Sequence, residues 1–413
     1  MNFEPVPYSH VESMVYGPHW ERISIESESN LPTGSGCLYV VPAAQQETFA
    51  RLAAWIPASR LYRLLLDDGG KILHLVQSAG VERIVFVSRT PWLDGIDNDS
   101  ILGFFRMIKA LSKTGHLRLD IVTVNSISSP AAAVTHPADA VYMGLAQTLA
   151  QEITSWDVTC ISLTAFSKVQ LASALNSRFS LNGGAPVVIS EGSCWRRRMV
   201  PAYLAEEAGA QGFREQGSYL IIGANGGIGG MLARYLARRY KANLILAGRR
   251  AEAQTLIRDI EVLGGHAVYE QLDLSDPVAT QSIFDRHPNM NGVVHSALVL
   301  DDASVINMGE ASLMSVLRPK AHGTVNLAKA IRGREMDFVL LFSSIQSYIS
   351  NPGQANYTAA CVCKDAVGGL LRDALMMNAK IINWGFWGNV GIVASETYRE
   401  RMKKLEIGSI EAE

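Results

Sequence analysis

Residues 218–236 read SYLIIGANGGIGGMLARYL. An apolar, β-rich run leads into Gly223, Gly226, Gly227, Gly229 and Gly230, which open an amphipathic segment of helical length. Strand, tight turn and helix in that order begin a parallel α/β unit. Glycines let the backbone turn sharply and come close to a phosphate, and the free N–H groups of a helix start favour an anion. Gly223, Asn225, Gly226, Gly227, Ile228 and Gly229 are therefore the candidate dinucleotide cradle.

The next strands extend this reading. ANLILAG, 242–248, runs into Arg249 and Arg250. A fold of this type that uses NAD often carries an acidic residue there for the ribose 2′-hydroxyl. A guanidinium instead matches a 2′-phosphate through paired, charge-assisted hydrogen bonds, which favours NADPH. HAVYEQLD, 266–273, ends in Asp273, placed with Leu274 to meet an adenine. GVVHSA, 292–297, brings Ser296 and Ala297 to the sheet edge beside the cofactor, with His295 a packed strand residue.

The first half has the same rhythm. CLYVV from Cys37, RIVFVS from Arg83, LDIVTVN from Leu119, VTCISL from Val158 and PVVIS from Pro186 read as strands. Helix-like stretches such as 138–152 lie between them, and the alternation predicts a second parallel sheet. CLYVV leads into proline and alanines rather than glycines, so this half is expected to be a scaffold that binds no cofactor. The polar, Gly-containing segment 206–217 marks the boundary, giving units 1–212 and 213–413.

Composition narrows the function classes. The chain has 413 residues, 48% hydrophobic and 18% charged, with a formal net charge of −2. That suits large buried cores and supplies no basic field for nucleic acid. The run Arg196-Arg197-Arg198 reads as a solvated turn or a docking surface. Five scattered cysteines imply reduced thiols and a cytoplasmic location, and Cys361 with Cys363 lacks the spacing of a zinc site, so no metal is expected. MNFEPVPYSH does not read as a signal peptide, and no apolar run is long enough to span a membrane.

DFVLLFSS, 337–344, ends in Ser344, and a Gly/Pro loop then leads to Gln354-Ala355-Asn356-Tyr357 at a helix start. A strand end and the following helix can bring two such side chains to one carbonyl. A tyrosine near its ordinary pKa of ~10 is a weak acid at neutral pH, and a neighbouring ammonium lowers that value. A serine hydroxyl donates to an oxygen as charge develops on it.

Taken together, GANGGIGG, AGRR, LDLSD, GVVHSA, FSSIQS and NPGQANYTAA resemble the ketoreductase domains of modular polyketide synthases, a family of the short-chain dehydrogenase/reductase superfamily. The resemblance covers the whole chain. It implies two Rossmann-like α/β subdomains with parallel sheets, the first truncated and cofactor-free, the second catalytic and closed by a C-terminal lid. Ordinary superfamily members place a lysine four residues after the tyrosine, where this chain has Cys361. The ketoreductase family takes its lysine from another helix, in RPKAHGT, which implies Lys320 for that role; an asparagine stands in the family where this chain has Cys361. Lys364 is read as a solvated residue.

Leu300-Asp301-Asp302 matches the family's marker for B-type enzymes, which make D-configured hydroxyls; an N-cap is the other use of aspartates there. Gln354 is grouped with these residues. The implied reaction is NADPH-dependent reduction of a β-ketoacyl thioester, with an α-ketoacyl thioester as the alternative, held on an acyl carrier protein within a larger synthase. The resemblance makes the stretch with Trp384 and Trp387 a cover for the nicotinamide; core packing is the other reading of the two tryptophans, and they are not counted as catalytic. Two rivals stay open: a non-catalytic ketoreductase domain kept as scaffold, suggested by Cys361, and a free-standing reductase of a small ketone.

Overall fold

A computed structural model describes residues 15–177, 184–202, 212–404 and 407–411. Two sheets dominate it. The first contains β1 (Tyr16–Ser24), β2 (Cys37–Pro42), β3 (Leu61–Leu64), β4 (Arg83–Val87), β5 (Leu117–Val124), β6 (Trp156–Leu163), β7 (Val187–Ser190) and β8 (Ser193–Pro201), in the spatial order β1-β8-β7-β6-β5-β4-β2-β3. The second contains β9 (Ser218–Ile222), β10 (Asn243–Gly248), β11 (His266–Gln271), β12 (Gly292–His295), β13 (Phe338–Ser344) and β14 (Ala379–Trp384), all parallel, in the order β11-β10-β9-β12-β13-β14. The chain is thus an α/β protein with parallel sheets. Of the boundary segment 206–217, residues 206–211 lie outside the described residues.

The strands repeat in part. The order β3-β2-β4-β5-β6 repeats β10-β9-β12-β13-β14, and among the described residues no strand beyond β3 answers β11. The far edge instead carries β8, antiparallel to both β7 and β1. Sequence reading missed β1, β3 and β8. Arg196, Arg197 and Arg198 lie on β8 and pair with β1, so the solvated turn is corrected to a strand. Glu21 bonds Arg196 at 3.3 Å, and Arg197 stacks on the Tyr348 ring at 4.0 Å.

Each sheet is buried on both faces, which accounts for the apolar composition. One face of each contributes to a shared core, from Leu38 and Phe86 through Phe104 and Tyr142 to Leu341 and Val367; the opposite faces have cores of their own. Between the sheets the helix Ala140–Glu152 packs on the helix Ala355–Gly369. Gly144 permits this approach, because a Cβ there would lie 2.4 Å from the Ala359 Cα and 2.8 Å from its amide nitrogen. Backbone would have to move, so Gly144→Ala is expected to cost about 1–3 kcal/mol and to lower Tm by a few degrees. Thermal denaturation of the variant checks this.

Crossing the order from β9 to β12 creates a switch point, where a parallel α/β sheet opens a crevice at its carboxyl edge. The equivalent place in the first sheet is filled by its own side chains. Asp139 is buried, accepts from the Ser88 hydroxyl at 2.7 Å and from the Thr90 amide at 2.8 Å, and Gln45 donates to Ser88 and Thr90. Burial raises the Asp139 carboxyl to about 6, against these bonds.

Candidate active site

A cleft of about 740 Å³ opens at the carboxyl edge of the second sheet. Gly223, at φ +86°, turns the chain out of β9, and a Cβ on it would stand 2.6 Å from the Ala297 amide nitrogen. Only glycine allows β12 to end so close. The helix Gly227–Tyr240 then starts from an extended Gly226 with no side-chain cap. Its first N–H groups are left for an anion, so the turn fits a dinucleotide.

Most of the proposed cofactor residues meet at this cleft. Gly223, Asn225, Gly226, Gly227, Ile228, Arg249, Arg250, Asp273, Leu274, Ser296 and Ala297 all line it. Gly229 does not; a Cβ there would meet the Gly223 carbonyl at 2.5 Å, so this glycine seats the helix on the turn. Asn225 Nδ2 reaches the Tyr269 hydroxyl at 3.2 Å, and Tyr269 donates to the Arg250 carbonyl at 2.9 Å, tying the turn to the loop after β10. Arg249 and Arg250 are exposed, and among the described residues neither guanidinium has an ion pair. Asp273 uses Oδ1 to accept from the Ser275 amide and hydroxyl, shaping its own turn.

The catalytic candidates converge from three elements. Ser344 ends β13 and Tyr357 lies in the first turn of the helix Ala355–Gly369; both line the cleft. Lys320 comes from the segment Arg318–His322, a π-helical turn between the helices Glu310–Leu317 and Gly323–Ile331. Such turns commonly mark functional positions. Lys320 is only 1% exposed and stands behind Tyr357, its Nζ 3.2 Å from the phenol oxygen and 4.3 Å from the ring centre.

The electrostatics correct one expectation. Burial pushes the Tyr357 phenol above its ordinary value; the Lys320 ammonium and a hydrogen bond with Ser344 offset this only in part. The phenol is therefore protonated at neutral pH. Burial works to discharge Lys320, but Cys361 and Tyr357 hold it above the ordinary lysine range. Cys361 is fully buried with its sulfur within hydrogen-bonding reach of Lys320.

Lys364 is not solvated. It is fully buried and donates to the His295 carbonyl at 2.8 Å. Burial, aided by repulsion from Lys320, drives it well below the usual lysine value. Its helix is covered by the other half of the chain, so even its polar-looking face is interior. His295 is buried as expected, and burial with the nearby Lys364 and Lys320 keeps its ring neutral.

The groove side is built from two loops. Gln354 Nε2 donates to Asp302 Oδ2 at 2.9 Å and to the Tyr398 hydroxyl at 2.9 Å, and Ala303 pairs with Gln354. Asn356 Nδ2 holds the Asp301 carbonyl at 2.8 Å. Leu300 and Gln354 line the cleft, whereas the exposed Asp301 and half-buried Asp302 do not. No helix starts at the two aspartates; the next begins at Glu310 with Gly309 as its cap, which removes the N-cap reading.

Trp384 and Trp387, which the sequence left open between core packing and a cover over the cofactor, face the cleft as an edge-on pair 5.2 Å apart. Tyr398 and Met402 of the helix Glu396–Lys404 complete the wall. Asn383 went unnoticed in the sequence. Its amide donates to the Ser344 carbonyl, the Ser347 hydroxyl and Asp365 at 3.2, 2.9 and 2.7 Å, fixing the strand end that presents Ser344.

A parallel sheet with a switch-point cleft, Ser344 and Tyr357 on its wall and Lys320 buried behind the tyrosine, is an architecture of the short-chain dehydrogenase type. Residues 217–389 match the family model of the KR domain. Polyketide synthase ThaG of Burkholderia thailandensis is 33% identical over 390 residues, which is 92% of this chain and 7% of that protein. Polyketide synthase PksN of Bacillus subtilis is 28% identical over 421 residues, 97% of this chain and 8% of that protein. The chain thus spans less than a tenth of the length of either relative. A solved A-type ketoreductase from a modular polyketide synthase superposes with a TM-score of 0.80 at 23% identity, covering 97% of this chain and 89% of that one. A C2-type ketoreductase gives 0.76 at 20% identity, covering 97% and 93%. These two structures establish the shared fold. Residues 217–389 thus belong to the ketoreductase-domain family, and the chain as a whole is similar to segments of polyketide synthases.

Among the described residues no helix is long and apolar enough to cross a membrane.

Proposed function

We propose that this chain is an NADPH-dependent ketoreductase that reduces a β-ketoacyl thioester, presented on the phosphopantetheine arm of an acyl carrier protein, to the D-hydroxyacyl thioester. The observation that carries the reading is the 3.2 Å contact of the buried Lys320 ammonium with the Tyr357 phenol, beside Ser344 at the cleft. The acyl chain and its thioester come from neighbouring synthase domains, in keeping with relatives that are long polyketide synthases. The first half, whose equivalent crevice is closed by the Gln45, Ser88 and Asp139 network, serves as scaffold.

In this reading the turn Gly223–Gly229 holds the pyrophosphate, Asp273 and Leu274 border the adenine, Arg249 and Arg250 meet the 2′-phosphate, and Ser296 with Ala297 borders the inner end of the dinucleotide. Bound there, the cofactor supplies a hydride to the ketone carbon. Ser344 donates a hydrogen bond to the ketone oxygen and orients it. Tyr357 gives its proton to that oxygen, yielding the hydroxyl. Lys320 stabilises the phenolate that remains until a proton returns from solvent. Leu300, Asp301, Asp302 and Gln354 shape the groove through which the acyl arm enters, and the leucine–aspartate–aspartate run supports the D outcome.

The test is incubation with NADPH and a simple β-ketoacyl thioester, followed by chiral analysis. One NADPH consumed per D-hydroxyacyl product is the expected result. An L product overturns the stereochemical assignment; bound NADPH without consumption favours the scaffold reading prompted by Cys361. In the same assay Arg249→Ala with Arg250→Ala is expected to lower kcat/KM for NADPH by roughly 10- to 100-fold, the loss of charged hydrogen bonds, and to leave NADH turnover unchanged. An unaltered NADPH-to-NADH ratio would refute the role given to the two arginines.

A further inference from the structure

The helix Ala140–Glu152 belongs to the half with no glycine-rich turn, yet its last side chain reaches two loops that flank the cleft. Glu152 Oε2 accepts the N–H of Val305 at 2.6 Å, and Oε1 accepts the N–H of Gly353 at 2.7 Å. Both are short bonds to an ionised acceptor, the stronger class of hydrogen bond. The two amides lie on different loops. Val305 is buried in the loop that follows β12 and carries Leu300 to Asp302; Gly353, at φ +85°, immediately precedes Gln354. Nearby, Gln151 Nε2 donates to the Ile349 carbonyl at 2.7 Å, and the Ser350 hydroxyl donates to Gln147 Oε1 at 2.8 Å. The second loop is thus held at three points by one helix end.

We propose that Glu152 is a positioning residue that sets the spacing of the two loops flanking the groove, and through it which face of the ketone is presented to Tyr357 and Ser344. This deepens the reductase reading and rests on it. A carboxylate suits the task because it only accepts, and it can take two N–H groups at once. A glutamine has the same shape but turns one NH2 toward an amide N–H, so one of the two grips must open. Asp302 and Gln354 meet across those loops at 2.9 Å, and Asn356 holds the Asp301 carbonyl at 2.8 Å, so a shift in spacing is transmitted to the groove wall.

The variant to compare with the parent is Glu152→Gln, which keeps size and the helix. Expected are unchanged NADPH affinity, a roughly tenfold rise in KM for the thioester, the loss of one charged hydrogen bond, and loss of stereochemical purity in the product. Hydrogen exchange at the Val305 or Gly353 amide should accelerate in parallel. Glu152→Asp, too short to span both loops, should give the same mixture of products. Faster exchange at either amide, with KM and product ratio equal to the parent's, would reduce Glu152 to a purely structural clamp and overturn the proposal. Exchange as slow as the parent's would show that no grip had opened and would overturn it equally. A parent protein that binds NADPH but turns over no ketoacyl thioester would remove the reductase reading, and this proposal with it.

Discussion

Tyr357→Phe is expected to lower kcat for ketone reduction by roughly 10²- to 10⁴-fold, the usual worth of a positioned general acid, while the protein folds and binds cofactor as before. The ring of Tyr357 is buried in the shared core, and phenylalanine keeps all of it. Only the hydroxyl is lost, with its 3.2 Å contact to Lys320. Because burial raises the phenol, the donor stays protonated through the neutral range, and the parent's rate should fall only on the alkaline side, above the ordinary tyrosine value of ~10. NADPH absorbance at several pH values measures the rate, and a cofactor titration shows that binding survives. A variant within a few-fold of the parent rate would end the assignment of Tyr357 as proton donor.

What the sequence showed and what it hid follow a physical division. The glycine turn, the arginines after β10, the strand-end Ser344 and the tyrosine at a helix start are local features, set by backbone chemistry within a few residues. Lys320 is not legible in that way. It reads as an ordinary polar residue, and only resemblance pointed to it; a π-helical turn containing Pro319 turns it into the interior. Lys364 was misread for the related reason that helical periodicity assumes one wet face. The helix Ala355–Gly369 has none, because Ala140–Glu152 covers the side that would be wet. Glu152 matters only through that same docking of the halves, to amides 153 and 201 residues away. The missed strands β1 and β8 lie at a sheet edge, and Glu21 pairs across them with Arg196 and Arg198 where an apolar run would otherwise mark a strand.

Lys320→Met should be nearly as damaging as loss of the phenol, at roughly 10²- to 10³-fold in kcat, yet it should leave Tm equal or higher. The two expectations have one origin. A methionine fills similar space and spares the protein a buried charge, a replacement that is often neutral or stabilising. The phenolate left by proton transfer, however, loses the cation beside it, and an acid whose conjugate base is unstabilised transfers its proton slowly. Lys364 is not placed to step in, since its amine is committed to the His295 carbonyl and burial works against its charge. The sign of the pH effect is fixed as well. A positive charge lowers the tyrosine's value, so its removal must move the alkaline limb of the rate profile to higher pH. Slow turnover with an alkaline shift and an undiminished Tm would place Lys320 in the chemistry; an unchanged rate and limb would show that the ammonium at 3.2 Å has no part in it.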